Sequence, residues 1–407
     1  MRKLSVPVFI IVLISLLLDF YVFQGLKALC HPYSGEFRLV IFYLFWFGSL
    51  AVLAAFVTNF YRAIPTGKFT LLFNAVFNVF SALFVSKLAF ALVLLGEDVY
   101  RVFAGLIGEY PLRSDSFGRA GLLFASIPFL SFIFGVTRGK YHYKVRKARI
   151  YLEDLPKSFD GFTITQISDI HAGSLDSIKG VQRGIALINA QRSDLFVFTG
   201  DLVNNQASEI EPWIDVFAKI EATHGKFSVL GNHDYGDYIR WDSAEEKRRN
   251  LEQLKANHEK LGFRLLLDQH VKIEKGGESI ALLGVENWGL GFGQRGDLEK
   301  ALNGLDDKTV KVLLSHDPSH WDAMVKNHSG NIHVTLSGHT HGMQFGIEMF
   351  GFKWSPVKYR YPNWAGLARA HGRYLYVNRG FGFLGFSGRV GIWPEVTVIE
   401  LHTLAQY

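Results

Sequence analysis

The sequence predicts an α-helical transmembrane region followed by an α/β domain of the α+β type, in which two β-sheets form a sandwich flanked by helices. Two observations support this division. The first 137 of the 407 residues are dominated by Leu, Phe, Val, Ala and Ile. The remainder alternates short apolar runs with charged, amphipathic stretches, which is typical of strands and helices in a water-soluble fold.

Four apolar segments in the first part are long enough to span a bilayer, which takes roughly 20 residues each. They cover approximately residues 5–24, 39–60, 70–95 and 120–137. A buried helical core is the alternative, but soluble helices rarely lack a polar face over such lengths. We therefore interpret residues 1–137 as a four-helix transmembrane anchor, which makes the lipid bilayer an expected partner.

Basic residues beside these segments indicate the orientation of the chain. With the N-terminus inside, the inner flanks hold Arg2, Lys3, Arg62, Lys68, Arg138, Lys140, Lys144, Arg146, Lys147 and Arg149. The outer flanks hold only Lys27, Arg38, Arg101, Arg113 and Arg119. We therefore expect a multi-pass protein of the inner (cytoplasmic) membrane, with its second part in the cytoplasm. If the fourth segment did not span, that part would lie outside.

Two charged residues, Asp19 and Lys87, lie within the first and third apolar segments. At a rise of ~1.5 Å per residue, the two side chains sit at similar depths in helices that run in the same direction. A lone charge is costly in lipid, so an ion pair between them is one hypothesis. The alternative is that each side chain reaches the outer interface separately.

The second part begins with a basic juxtamembrane segment and first strand at 138–159, and we assign 160–407 to one further domain. Its first half alternates predicted strands and helices, which implies parallel strands covered by helices. The strands are at 162–168, 195–199 and 226–230, and the helices at about 177–191 and 209–222.

The second half of this domain is richer in strands. A charged surface helix is predicted at about 242–261, and a short antiparallel meander at 264–284. Further strands are predicted at 310–315, 332–337, 373–377 and 395–401, with a helix that begins near Pro318. Together with the first half, these strands suggest two packed sheets.

Polar residues follow five of the predicted strands, each at the point where the strand ends. The motifs are SDIH, TGD, GNHD, SHD and SGHTHG. Their polar residues are Asp169, His171, Asp201, Asn232, His233, Asp234, His316, His339 and His341. Open α/β sheets place ligand sites at the carboxyl ends of their strands, so we expect these side chains to share one rim.

This mixture of carboxylate, imidazole and amide oxygen suits divalent metal ions. A carboxylate such as Asp201 can bridge two ions, with one oxygen to each. Two such ions can share a hydroxide nucleophile and clamp a phosphoryl group. Each motif alone could be a turn or a helix cap, but five of them in this order are difficult to explain as coincidental turns.

The ordered set resembles the calcineurin-like metallophosphoesterase superfamily, whose pattern is D-x-H, G-D, G-N-H-[DE], H and G-H-x-H. The resemblance covers about residues 160–401. LPKSFDGFTITQISDIHAGS and SGHTHGMQ are similar to the membrane-anchored bacterial branch. The resemblance implies a two-sheet sandwich and a metal-dependent hydrolase that acts on a phosphate ester.

The resemblance also implies residue roles. One metal ion would be held by Asp169, His171, Asp201 and His341. A second would be held by Asp201, Asn232, His316 and His339. His233 would lie near the scissile phosphate as transition-state stabiliser or general acid, oriented by Asp234. The family uses manganese, iron or zinc, and the ligand types alone do not choose among them.

The expected substrate is a phosphomonoester or phosphodiester, and the membrane anchor favours a lipid-like one. A soluble cyclic nucleotide or a phosphoprotein is the other class, because the motifs set the reaction and not the leaving group. The formal charge of +6 is modest for this length, so no nucleic acid is expected. The alternative function is a membrane sensor or transporter-associated protein with a regulatory metal-binding domain.

Three weaker features complete the prediction. Residues 345–393 are rich in glycine and aromatics, and they form either a self-packed loop or a membrane-facing collar. In the collar hypothesis, the residues that meet phosphate or anionic lipid are Lys358, Arg360, Arg379 and Arg389. Asn287 and Trp288 are candidates for the substrate border. Asp317 either orients His316 or caps the following helix, and we expect the cap.

Overall fold

The computed structural model describes residues 2–66 and 70–404, and the chain divides into two compact units between Thr137 and Arg138. Four helices make up the first unit. They are α1 (Arg2–Cys30), α2 (Gly35–Thr66), α3 (Leu71–Leu106) and α4 (Asp115–Thr137). Each is long and apolar enough to cross a membrane. The four predicted apolar helices are thus confirmed, although Lys68 lies outside the described residues.

The ion pair between Asp19 and Lys87 is present in this first unit. Lys87 Nζ lies 2.5 Å from Asp19 Oδ1 and also donates a hydrogen bond of 2.9 Å to Ser49 Oγ. Asp19 is buried, with 2% of its surface exposed. The pairing hypothesis is therefore confirmed, and the contact joins α1, α2 and α3 through polar groups within an otherwise apolar bundle.

Fourteen strands are found among the described residues of the second unit. Their bounds are β1 (Lys144–Leu152), β2 (Phe162–Ile167), β3 (Leu195–Phe198), β4 (Lys226–Ser228), β5 (Arg264–Leu265), β6 (Gln269–Lys275), β7 (Glu278–Gly284), β8 (Lys311–Leu314), β9 (Val334–Ser337), β10 (Ile347–Met349), β11 (Phe352–Trp354), β12 (Gly366–Ala370), β13 (Arg373–Val377) and β14 (Glu395–Thr403). They form two six-stranded sheets and one separate hairpin, β10–β11.

Parallel pairing dominates both sheets, and in the first sheet it is the pairing that the alternation of strands and helices predicts. The first sheet has the order β1-β14-β2-β3-β4-β5, and β2 to β5 run parallel. The second sheet has the order β12-β13-β9-β8-β7-β6, and β13, β9, β8 and β7 run parallel. In the second sheet, β12 and β6 are antiparallel edge strands. Since β1 lies in the first sheet, the segment 138–159 belongs to the same unit as the residues after it.

The predicted meander at 264–284 is wrong in its first strand. β5 pairs in parallel with β4 in the first sheet, whereas β6 and β7 form an antiparallel pair in the second sheet. Leu266 N extends the first sheet by donating to Ser228 O at 2.8 Å. The chain then turns at Asp268, whose φ of 52° lies in the left-handed region. A sheet change of this kind leaves no mark in hydrophobic periodicity.

Five α-helices cover the outer faces of the two sheets. They are α5 (Ile178–Ala190), α6 (Ile214–Phe217), α7 (Ala244–Lys260), α8 (Leu298–Leu302) and α9 (Ser319–Ala323). The helix predicted at 209–222 is instead a 3₁₀ run, Ala207–Trp213, followed by the short α6. Pro212 lies within this run and has no amide hydrogen to donate to a regular helical ladder.

Apolar side chains fill the space between the sheets, including Ile164 and Val197 from the first and Leu282 and Val312 from the second. Separate apolar clusters lie beneath the helices on each outer face. The result is a sandwich of two sheets flanked by helices, which confirms the predicted fold class. The carboxyl ends of β2, β3, β4, β8 and β9 carry the candidate functional residues.

Candidate metal centre

Five strand ends, three from the first sheet and two from the second, bring the candidate ligands together. Two groups of three side chains have ligand atoms within 4.8 Å of one another. The first group is Asp169, His171 and His341, and the second is Asp201, His316 and His339. Asn232, from the loop after β4, lies beside the second group. All seven side chains that the motifs nominate as ligands therefore meet at one place.

Left-handed backbone is concentrated at this place. Five of the candidate residues have φ between 47° and 69°, and they are Asp169, His171, Asp201, His339 and His341. For residues other than glycine, this conformation costs about 1–3 kcal/mol each and persists only where surrounding contacts impose it. Such strain clusters at functional sites, and here it turns each side chain toward the centre after its strand has ended.

Two of the motif glycines are required by close packing. A Cβ on Gly200 would lie 2.6 Å from Gly231 N, and the φ of Gly200 is 94°. A Cβ on Gly338 would lie 2.4 Å from Asp169 Oδ2. Neither distance is tolerated by a real side chain, so the candidate ligands approach one another only because these positions are glycine.

In the first group, nitrogen and oxygen atoms converge without intervening side chains. His171 Nε2 lies 3.0 Å from His341 Nε2, which in turn lies 3.2 Å from Asp169 Oδ1. The Asp169 carboxylate is fixed from the other side, because the His339 amide donates to it at 3.0 Å. Asp169 and His171 are completely buried, so these groups face one another and not bulk water.

In the second group, the His316 ring is held through one of its nitrogens. Its Nδ1–H donates to Thr199 O at 2.7 Å. Its Nε2 therefore faces two oxygen atoms, Asn232 Oδ1 at 3.1 Å and Asp201 Oδ2 at 3.2 Å. His339 Nδ1 lies 2.8 Å from the same Asn232 oxygen. Two imidazole nitrogens, an amide oxygen and a carboxylate oxygen thus surround a common point.

Asp201 lies between the two groups. Its Oδ2 is 3.6 Å from His171 Nε2 in the first group and 3.2 Å from His316 Nε2 in the second. Its Oδ1 accepts a hydrogen bond of 2.8 Å from the backbone amide of His233. Oδ2 therefore faces both groups, and Oδ1 binds the His233 amide.

The electrostatics favour positive charge at this point. Burial raises the pKa of Asp201, but His316 and His233 outweigh it and hold that pKa well below its usual range. Burial lowers the pKa of His316, but the Asp201 carboxylate outweighs it and raises the pKa to about 10. Burial lowers the pKa of His339 to about 4, so this imidazole is neutral. Carboxylates, neutral imidazole and an amide oxygen fit borderline divalent ions.

His233 and Asp234 have separate contacts. His233 Nδ1 lies 2.8 Å from Asn204 O, so Nδ1 carries a proton, and this bond leaves Nε2 at the opposite edge of the ring. The expectation that Asp234 directly orients this ring is not what the structure has. All four hydrogen bonds of the Asp234 carboxylate come from backbone amides, those of Asp201, Leu202, Val203 and Gly231. Asp234 therefore fixes the loops after β3 and β4.

Comparison of the chain with known proteins identifies the family to which it belongs. Residues 162–343 match the family described as Calcineurin-like phosphoesterase. The uncharacterized metallophosphoesterase YkuE of Bacillus subtilis is 30% identical over 250 residues, which are 61% of this chain and 81% of that protein. The chain belongs to the calcineurin-like metallophosphoesterase family. It is accordingly a metal-dependent hydrolase of phosphoric esters.

The first unit of this metallophosphoesterase also has relatives. Residues 2–140 match the family described as Probable Calcineurin-like phosphoesterase, transmembrane domain. The transmembrane protein with metallophosphoesterase domain of Danio rerio is 28% identical over 304 residues, 72% of this chain and 65% of that protein. Its counterpart in Bos taurus is 25% identical over 348 residues, 81% of this chain and 74% of that protein. These matches support a membrane location.

Asp317 contributes more to the metallophosphoesterase site than a helix cap. Its Oδ1 does accept from Ser319 N at 2.8 Å, which confirms the cap. Its Oδ2 lies 3.4 Å from His339 Nε2 and accepts from Tyr361 OH at 3.1 Å. The partner of Asp317 is thus His339 and not His316. A carboxylate behind an imidazole fixes the ring and raises the basicity of its other nitrogen.

We expect Asp317→Asn to weaken metal binding by about 10–100-fold, the usual effect of removing such an outer partner. Asn keeps the oxygen that caps the helix but loses the negative charge beside His339 Nε2. Isothermal titration calorimetry, with metal ion added to protein from which a chelator has removed the metal, measures the change in affinity. Asp322→Asn, on the outer side of the same short helix, is the matched control. Equal affinities for Asp317→Asn and the control would contradict the role.

Of the four basic residues assigned to the collar, two are buried and two are exposed. Arg379 is buried and paired with Glu395 at 2.6 Å and Glu348 at 2.8 Å. Arg389 is completely buried, and its guanidinium donates to backbone carbonyls, among them Gly382 O at 2.6 Å. Neither can meet a phosphate, so that part of the prediction is wrong. Lys358 and Arg360 are exposed.

Aromatic rings pack against two of the histidines at the candidate centre. The Phe292 ring lies 4.5 Å from the His339 ring, and the Arg360 guanidinium lies 4.8 Å from Phe292. The Tyr238 ring lies 4.4 Å from the His233 ring. Asn287 is buried and donates to Phe292 O at 2.7 Å, so it positions this loop and does not itself face outward.

Proposed function

We propose that this metallophosphoesterase hydrolyses a phosphomonoester or phosphodiester at a centre of two divalent ions. One ion would be held by Asp169, His171, Asp201 and His341, and the other by Asp201, Asn232, His316 and His339. The observation that carries the proposal is the position of Asp201 Oδ2, which faces a histidine nitrogen of each group at 3.6 and 3.2 Å.

The ions, when bound, would neutralise charge on the phosphoryl group and activate water as the nucleophile. With both ring nitrogens protonated, His233 would stabilise the transition state or give up its Nε2 proton to the leaving-group oxygen, while Nδ1–H stays bonded to Asn204 O. Asp234 would act as a positioning residue, since it fixes the backbone of both Asp201 and Gly231. Each role uses a contact of the chain itself.

A lipid-like phosphate ester is the substrate class that we favour. The four apolar helices keep the hydrolase beside a bilayer, and the approach to the centre combines aromatic rings with the cation of Arg360. The excess of basic residues in the inner flanks supports an inner membrane and a cytoplasmic site. Manganese, iron and zinc all suit the donor set.

The test uses the full-length protein in lipid nanodiscs. Metal is removed with a chelator and restored as Mn²⁺, Fe²⁺ or Zn²⁺, and the bound metal is counted by mass spectrometry. Hydrolysis of 4-nitrophenyl phosphate, bis(4-nitrophenyl) phosphate and a phospholipid monoester is measured in parallel. We expect about two ions per chain and turnover that is lost and regained with them. Full turnover with one ion would contradict the two-ion centre, and bound metal without turnover would favour a regulatory metal-binding domain.

A further inference from the structure

Exposed apolar side chains are concentrated in one segment of the second unit. Among its described residues, thirteen large hydrophobic side chains are exposed, and six of these lie between residues 343 and 359. They are Met343, Ile347, Met349, Phe350, Phe352 and Tyr359. Single exposed apolar residues are ordinary, but a contiguous group marks a surface that meets an apolar partner.

The hairpin β10–β11 carries four of these six residues and has its apolar face turned outward. Its register pairs Ile347 with Trp354, Glu348 with Lys353, and Met349 with Phe352. Because side chains alternate across a strand, Ile347, Met349 and Phe352 share one face. They are 48%, 54% and 59% exposed. A water-soluble hairpin at a domain surface normally shows the opposite pattern.

The opposite, polar face of the hairpin holds it to the body of the domain. Glu348 pairs with Arg379 and with Arg146 of β1, each at 2.8 Å. Lys353 Nζ donates to Ala365 O at 2.6 Å. Arg379 and Glu395, which continue this network, are buried. The hairpin is therefore fixed in an orientation that leaves its apolar face free.

The tip of the hairpin is conformationally costly. Phe350 and Gly351 both have positive φ, 51° and 81°, as a two-residue type I′ turn requires. Asn or Asp is the usual first residue of such a turn, and a bulky residue there is strained. Phe350 is nevertheless 98% exposed, so burial of the ring within the domain does not offset that strain. Burial of the ring in an external apolar medium would offset it.

We propose that the β10–β11 hairpin inserts this apolar face into the surface of the lipid bilayer. The same chain carries four apolar helices long enough to cross a membrane. Around the hairpin, the only acidic residue between residues 343 and 360 is the inward-facing Glu348, whereas Lys358 and Arg360 are exposed cations that match anionic headgroups. Tyr359, 78% exposed, is of the type that gathers at membrane interfaces.

Insertion would also place lipid near the candidate centre. Five residues separate His341 from the first residue of β10. A phosphate ester embedded in the bilayer surface would thus approach the ligands from the hairpin side. This consequence rests on the proposed function, but the insertion itself does not, because it depends on no metal ion and no turnover.

The test places a fluorescent reporter at the tip in the full-length protein. In a Cys30→Ala background, Phe350→Cys is labelled with an environment-sensitive dye and reconstituted in phosphatidylcholine–phosphatidylglycerol vesicles with nitroxide-bearing acyl chains. Ile178→Cys, 56% exposed at the start of α5, is the matched control. We expect lipid nitroxide to quench the Phe350 label several-fold more strongly than the Ile178 label, with a blue-shifted emission.

A second variant separates insertion from mere proximity. Met349→Ser with Phe352→Ser removes the apolar face while keeping the labelled tip, and we expect most of the lipid quenching to be lost. Two outcomes would overturn the proposal. One is equal quenching of the Phe350 and Ile178 labels by lipid nitroxide. The other is a disulfide that forms readily between the Phe350→Cys residues of two copies, which would make the face a contact between chains.

Discussion

Substitution of Asp201 by Asn is expected to lower kcat/KM by about a thousandfold, which is the upper end of the range for loss of one preorganised electrostatic group. The reason is the position of this carboxylate. Its Oδ2 faces His171 at 3.6 Å and His316 at 3.2 Å, so one substitution removes negative charge from both groups of ligands. Its Oδ1 bond to the His233 amide can be kept by the Asn oxygen.

The same variant should bind less metal. In this variant, an amide NH₂ group takes the place of Asp201 Oδ2, so the two groups of ligands no longer share an oxygen atom. The NH₂ group would also point its hydrogens at His171 Nε2 and His316 Nε2, the nitrogens proposed to bind the ions. Mass spectrometry of the dialysed full-length protein, alongside hydrolysis of bis(4-nitrophenyl) phosphate, measures both effects in one preparation. We expect metal content and activity to fall together, because the charge of Asp201 is common to both sites.

Asp194→Asn provides a control at the opposite end of the same strand. Asp194 precedes β3 and accepts hydrogen bonds of 2.8 Å from Thr163, whereas Asp201 follows β3. It should retain metal and activity close to the unsubstituted protein. Asp201→Asn with two bound ions and an unchanged rate would refute the central role of this carboxylate. A melting curve for each variant separates loss of ligand from loss of fold.

The sequence was sufficient to predict that the candidate ligands lie together, because each of them follows the end of a strand. Asp169, Asp201 and His316 follow β2, β3 and β8 within a few residues, and parallel strands bring such ends to one edge of a sheet. The alternation of strands and helices likewise predicted the parallel pairing of β2, β3 and β4.

Contacts between distant loops could not be predicted in this way. Asp317 meets His339, across two loops, because their rotamers happen to face each other, and no spacing in the sequence records that. Arg379 looks like a free cation in a glycine-rich loop, yet it is paired with Glu395 in a strand and Glu348 in a hairpin. The outward apolar face of β10–β11 likewise depends on where Glu348 is bound.

Substitution of His233 by Ala is expected to reduce kcat by about a hundredfold to ten-thousandfold, the range for loss of a positioned acid or base. Metal content should not change. His233 is outside both groups of ligands, its Nδ1 is held by Asn204 O at 2.8 Å, and its ring lies 5.0 Å from that of His171. This pairing of lost rate with retained metal distinguishes it from every ligand variant. His224→Ala is the control, because His224 precedes β4 and His233 follows the opposite end of the same strand.

Dependence on the leaving group then separates the two roles of His233. If Nε2 donates a proton to the departing oxygen, the loss in His233→Ala should be much larger for phenyl phosphate than for 4-nitrophenyl phosphate, whose leaving group needs little protonation. If Nε2 instead stabilises charge on the phosphoryl oxygens, both substrates should lose a similar factor. Loss of metal in step with rate would contradict both roles, because it would make His233 a ligand despite its bond to Asn204.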